Sequence, residues 1–466
     1  MKRLSVVLAL CALGLSAAHA GETPPPDAER DLPPATILVL HPAPEAVLAL
    51  KHRLLPGLLD RQDGNAAVQY TRAALMMSER SDEQLKAIDE LRNVPAQDLD
   101  REKARAVLAL FQDALQKMEL AARRKRCDWD LDLSQGFALL MQDLMYYRQL
   151  ARLLRIQARL EIAEADYEQA LHTLQTGFAM AQHVGEAPTL IHALVGMALA
   201  DIMLGSVEEL IQAPGAPNLY WALTALPRPL VSARKGIETE LDVLALTYPE
   251  LRDPESSHLG AAGWRALTEQ VLILAGADHG SKKELAPTLA ALATYTDAKR
   301  HLLEKGRPPE EVEAMPVLHV VAIYMMDGFR RLRDQHFKWH YVPYWQAQKG
   351  FDGAEARLQE GRKTTDAFLA ALLLPALRRA GFQIVKIDRR VAALRCVEAV
   401  RLYAASHNGE LPRSLDDVTQ VPIPLNPATN EPFDYRVFAD KAVLWAPVDP
   451  QESAERALRY ELSIAR

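Results

Sequence analysis

Residues Tyr146–Pro188 read YYRQLARLLRIQARLEIAEADYEQALHTLQTGFAMAQHVGEAP, and two helices, their turn and both stop signals are legible in that one stretch. After Asp166, the side chains of Tyr167, Ala170, Leu171, Leu174, Phe178 and Ala181 recur at helical offsets that line one face. Asp166 can accept from first-turn amides, Gln169 three residues on completes a capping-box pattern, and Gly185 then Pro188 mark the exit. Upstream, Leu150, Leu153, Leu154 and Ala158 hold helical register within a first arm over residues 134–163. Past Pro188, Ile191, Leu194, Val195, Ala198 and Ile202 repeat the offsets, which predicts a third antiparallel helix packed on the pair.

Working outward, residues 1–20 have a basic start (Lys2, Arg3), an apolar run Leu4–Ala18 and a small-x-small end at Ala18-His19-Ala20, the pattern of a secretory signal. The mature chain is expected to begin at Gly21 in the periplasm or cell envelope, with membrane contact only if the leader stays uncut. No later segment is expected to be apolar for long enough to cross a bilayer. Residues 21–45 are Pro-rich and read as a spacer. Residues 46–361 read as a helical body that turns helical from Val47 and holds no parallel sheet. Within it, Asn65–Ser78 and Arg101–Arg126 are expected helices, the second closed by the basic run Arg123–Arg126, and the Pro- and Gly-interrupted stretch 214–229 is a possible hinge.

The last part, residues 362–466, changes period. A helix from about Gln383 to His407 leads to a left-handed exit at Asn408-Gly409, a capped turn at Ser414–Asp417, and three β-rich runs: 433–437, 443–448 and 460–464. The expected fold is mostly α: an antiparallel helical-repeat-like body with one helix on a small three-stranded antiparallel sheet.

Two local resemblances fit this layout. Ala165-Asp166-Tyr167, Ala170, Leu174 and Gly177 resemble the second half of a tetratricopeptide repeat over residues 146–188, which implies that Ala158, Ala170 and Gly177 let the two helices approach closely. The order Tyr403, Asn408-Gly409-Glu410-Leu411-Pro412, Pro424-Leu425-Asn426-Pro427 and Phe433-x-Tyr435 is similar to the globular part of type II secretion pseudopilins. Similarity of fold is implied there, not polymerisation, since a mid-chain module has no free amino terminus. As a whole, the chain resembles a group of exported bacterial proteins of unknown function.

The formal net charge is −7, and −9 once Lys2 and Arg3 leave with the leader, which makes nucleic acid a poor partner. With 49% hydrophobic and 25% charged residues, the chain can bury a large core. Of its cysteines, Cys127 and Cys396 survive processing, too few for a disulfide framework; one bridge or two free thiols are the alternatives. His336 and His340 have the spacing at which two imidazoles share a metal, but Phe337 stands where a metalloprotease helix needs glutamate, and Arg330, Arg331 and Arg333 precede them. Asp128, Asp130 and Asp132 suggest a calcium loop until Leu133 and Leu139 replace its glycine and closing glutamate. P-loop, nucleophile-elbow and dinucleotide patterns are lacking. No cofactor and no metal are therefore expected. The leading expectation is an exported scaffold whose concave helical surface meets a protein partner; the alternative is a metal-dependent or glycan-acting enzyme around His336, His340 and Trp345.

Overall fold

The computed structural model describes residues 35–465, apart from 93, 95, 139–142, 275–285, 362–369, 371–374 and 447–457. The fold is mostly helical with a small carboxy-terminal sheet. The chain enters on strand β1 (Thr36–Leu40), then a short polar strand β2 (Gln62–Asn65). Asn65 starts helix α1 (Ala66–Ser78) by accepting from the Ala67 amide at 3.1 Å. Helices α2 (Asp82–Arg92), α3 (Arg101–Leu110) and α4 (Gln112–Ala122) follow, and strand β3 (Arg124–Arg126) pairs parallel with β2.

The central triad comes next: α5 (Leu144–Ala163), α6 (Tyr167–Gly185) and α7 (Leu190–Ile211), packed against one another. Asp166 accepts from the Gln169 amide at 3.2 Å and Thr189 from that of His192 at 3.3 Å, so the expected α6 cap is present and α7 has its own. Ala158 and Ala170 are fully buried, whereas Gly177 makes its close approach to α7 and not to α5. A Cβ on Gly177 would sit 2.0 Å from Met203 Sδ on α7, and one on Gly196 of α7 would sit 2.5 Å from the Ala181 carbonyl oxygen and 2.7 Å from Gly185 Cα. Helices α6 and α7 thus meet backbone to backbone, which only glycine permits there.

Helices α8 (Tyr220–Thr224), α9 (Arg234–Thr247), α10 (Ala261–Leu274), α11 (Ala286–Glu304), α12 (Pro309–Ala314), α13 (Val317–Phe337) and α14 (Tyr344–Gly361) continue the body. The long α15 (Pro375–Ser406) ends in Asn408 and Gly409 at φ 53° and 80°, the left-handed exit expected of that pair. Ser414 caps the turn Leu415–Asp417, and strands β4 (Asp434–Phe438), β5 (Lys441–Ala446) and β6 (Leu458–Ile464) follow.

Four expectations are corrected. The expected antiparallel set β4-β5-β6 is present, but the stretch read as a spacer adds a strand to it: among the described residues the order is β1-β6-β5-β4, with β1 parallel to β6. Its run Thr36-Ile37-Leu38-Val39-Leu40 buries Leu38 and Leu40 completely, a signal hidden among flanking prolines. The body does hold a parallel pair, β2 with β3; β2 is Gln-Asp-Gly-Asn, with no apolar alternation to read, and is held by Arg124 Nη1 donating to the Asp63 carbonyl at 2.5 Å. Residues 101–126 form two helices that break at the buried Phe111, and the basic run leaves the helix to form β3. Finally, among the described residues the first α-helix begins at Ala66 and not at Val47.

The body and the carboxy-terminal part share one buried cluster running from Leu38 through the triad to Leu394, Val397 and Leu462. At their junction α15 carries an ion pair with both side chains fully buried, in which Arg401 Nη1 donates to both carboxylate oxygens of Glu398 at 3.0 Å. Arg401 also donates to the carbonyls of His41 (2.9 Å), Ala216 (3.0 Å) and Pro217 (3.3 Å). Asn218 Nδ2 donates to the Glu398 carbonyl at 2.9 Å, so the start of the stretch read as a hinge is pinned to α15.

Candidate functional site

The structure places His336 at the end of α13 and His340 in the 3-10 turn Lys338–Tyr341, with ring centroids 5.8 Å apart. Both rings lean on Phe351 of α14, at 5.7 and 4.9 Å, while Trp345 on the same helix is 39% exposed. Burial, then the neighbouring His336, pulls the His340 imidazole down to about 4, so it stays neutral at physiological pH. Two imidazoles supply two nitrogens where a zinc site takes three or four protein ligands, and among the described residues no group of three or more His, Cys, Asp or Glu is placed to hold a metal. The pair forms part of an aromatic seam between α13, α14 and α15. Asp132 accepts from the Ser134 amide at 3.1 Å and so opens the following 3-10 turn. Two histidines of the triad are likewise packed: Tyr70 shares a 3.0 Å hydrogen bond with His183, beside Trp129 and His192.

A cleft of about 400 Å³ opens elsewhere, where β1, α5, α7 and α15 meet. Its wall is a stripe along α7 and its C-cap, Asp201, Gly205, Glu208 and Gln212, spaced at steps of four, three and four. That helix is long and apolar enough to cross a membrane by length and composition, contrary to expectation, yet 67% of its apolar window is buried in the fold. Arg390 of α15 grips Glu208 with Nε and Nη2 at 2.8 and 2.7 Å and reaches Asp201 Oδ1 with Nη1 at 2.7 Å. Burial opposes its charge, but Glu208, Tyr460 and Asp201 more than offset that and hold the guanidinium protonated. Tyr460 on β6 donates to Glu208 Oε1 at 2.5 Å, with burial and then Glu208 pushing its phenol up.

The second carboxylate is bound by the helical body. Glu209 accepts from Arg159 Nε at 2.6 Å and Arg155 Nη2 at 2.8 Å. Arg159 is further committed to the carbonyls of Leu91 and Val94. Arg155 is different, because its buried Nε has no hydrogen-bond partner among the described residues and its Nη1 lies 3.9 Å from where a Cβ on Gly205 would be. It is the cation of the cleft with donors to spare.

The opposite rim is the edge of β1. The Ala465 amide donates to the Leu40 carbonyl at 2.8 Å, so Thr36, Leu38 and Leu40 turn their backbone groups to β6 and Ile37 and Val39 turn theirs outward. The Val39 amide is taken by Gln212 Oε1 at 3.1 Å. Among the described residues nothing pairs with the outward amide and carbonyl of Ile37 or the carbonyl of Val39. Comparison with protein-family models, with curated proteins and with solved structures gives no match. The residues of this site come from four distant elements, so the polar stripe on α7 is its one local signal in the sequence.

Proposed function

We propose that the protein is an exported helical scaffold of the cell envelope that takes an extended segment of a partner protein along the open edge of β1. The observation that carries this reading is one cleft that joins Arg155, with its spare donors, to β1: Thr36 and Leu38 line it, Gln212 of its wall holds the Val39 amide, and the Ile37 backbone and Val39 carbonyl stay open beside it. A strand added to a sheet edge gains affinity from main-chain hydrogen bonds, and Arg155 selects an acidic side chain or a terminal carboxylate on it. Gly205 leaves the floor between Arg155 and Arg390 without a side chain. The leader pattern ending at Ala20 supports the envelope location.

The test is selection of displayed peptides against residues 21–466, followed by two variants. Ile37→Pro removes an outward amide and leaves the ladder to β6 intact; Arg155→Gln removes the spare cation. Selected peptides should be acidic, should protect the Ile37 amide from hydrogen exchange, and should lose affinity for both variants. Peptides that bind Ile37→Pro as tightly as the parent would overturn the proposal.

A further inference from the structure

The loop Val47–Arg61 presents apolar side chains to solvent that the fold has the means to bury and does not. Val47 is 92% exposed, Leu48 80%, Leu50 63%, Leu58 79% and Leu59 99%. Its centre is nonetheless fixed: Leu54 is buried, Gln175 Nε2 of α6 donates to the Arg53 carbonyl at 3.1 Å, and Lys51 pairs with Glu168 at 3.3 Å. The ends are shaped too. Asp60 Oδ2 accepts from the Gly57 amide at 2.9 Å to close the turn Leu58–Asp60, and the Lys51 amide donates to the Leu48 carbonyl at 2.8 Å with Leu48 in the left-handed region at φ 67°. A leucine rarely adopts that backbone, and here it is held in it while facing water.

We propose that this loop is a bilayer-contact surface, with Val47, Leu48, Leu50, Leu58 and Leu59 entering the headgroup and acyl boundary. The charge of the loop fits an anionic lipid surface: Lys51 is paired with Glu168, but Arg53 and Arg61 stand against Asp60, which leaves the loop with one cation in excess. Apolar tips flanked by cations are the composition of segments that lie in a membrane interface. A symmetric contact between two copies would set the same patch against itself, with these cations facing their own kind. This inference is independent of the peptide reading, since it uses no residue of the cleft.

The experiment is co-sedimentation of residues 21–466 with vesicles of phosphatidylcholine alone and of phosphatidylcholine with phosphatidylglycerol. The parent should sediment with the anionic vesicles, and the double variant Leu58→Asp, Leu59→Asp should bind about tenfold more weakly or not at all. Arg53→Glu with Arg61→Glu should lose the preference for anionic vesicles. Urea unfolding controls for the fold, and its midpoint should hold because both leucines are exposed. Sedimentation with neither vesicle, undiminished binding by the leucine variant, or a dimer in ultracentrifugation that the leucine variant abolishes would overturn the proposal.

Discussion

Replacing Arg401 with alanine should loosen the seam between the body and the carboxy-terminal part, and the structure sets the size of the effect. The change leaves the Glu398 carboxylate with no solvent access and without its 3.0 Å partner, and it strips the carbonyls of His41, Ala216 and Pro217 of a donor. Breaking a buried pair from one side costs about 3–5 kcal/mol, a large share of the ~5–15 kcal/mol by which folded proteins are stable. Urea denaturation followed by circular dichroism gives the measurement. Burial already pushes the Glu398 carboxyl up against the opposing pull of Arg401. An acid whose folded pKa is raised contributes stability at low pH that is lost as pH rises through the folded value. Without Arg401 that rise is larger, so the penalty should be smaller at pH 5 than at pH 8. The double variant Arg401→Met, Glu398→Leu should recover much of the loss, since both charges go together. A penalty under about 1 kcal/mol, or a double variant no better than the single, would refute the buried pair as described.

Gly177→Leu should cost about 1–3 kcal/mol through the clash with Met203, with Gly177→Ala costing less and Met203→Ala easing the leucine variant; thermal unfolding of the set decides it. Glu161 accepts from Gln157 and Thr173, and burial raises its carboxyl to about 7, so its stabilising protonated form is lost as pH rises through that value. Glu161→Gln should therefore raise the melting temperature more at pH 8 than at pH 5. Cys127 and Cys396 are free, and burial pushes both thiols up, Cys396 to about 12; a thiol reagent should label them only on unfolding. Amino-terminal sequencing of envelope material should begin at Gly21.

What was legible in the sequence was what local chemistry decides. Asp166, Gly185 and the apolar offsets between them placed α6, and Asn408-Gly409 and Ser414 placed the exit of α15 and the turn after it. What was not legible depends on distant partners. Strand β1 is a strand because β6 lies beside it, and Arg123–Arg126 leaves its helix because Asp63 and His172 wait for it. Gly177 announced a close approach without saying which neighbour it admits. The cleft was the least visible, since Gly205 and Gln212 gain meaning only once β1 and α15 lie beside α7.

The parallel pairing of β1 with β6 also fixes when the molecule can be finished. The strand that gives β1 its ladder is synthesised after every other described strand and, if the chain is exported amino end first, arrives after them. Until then the helices can gather around the triad, but the sheet lacks an inner strand and Tyr460 has not reached Glu208. A chain cut short before Leu458 is left with β1 unpaired and β5 open along one side, both ready to recruit strands from other molecules. Completion of the fold therefore doubles as a check that the chain extends through β6, and copies cut short before it should be lost to aggregation or proteolysis.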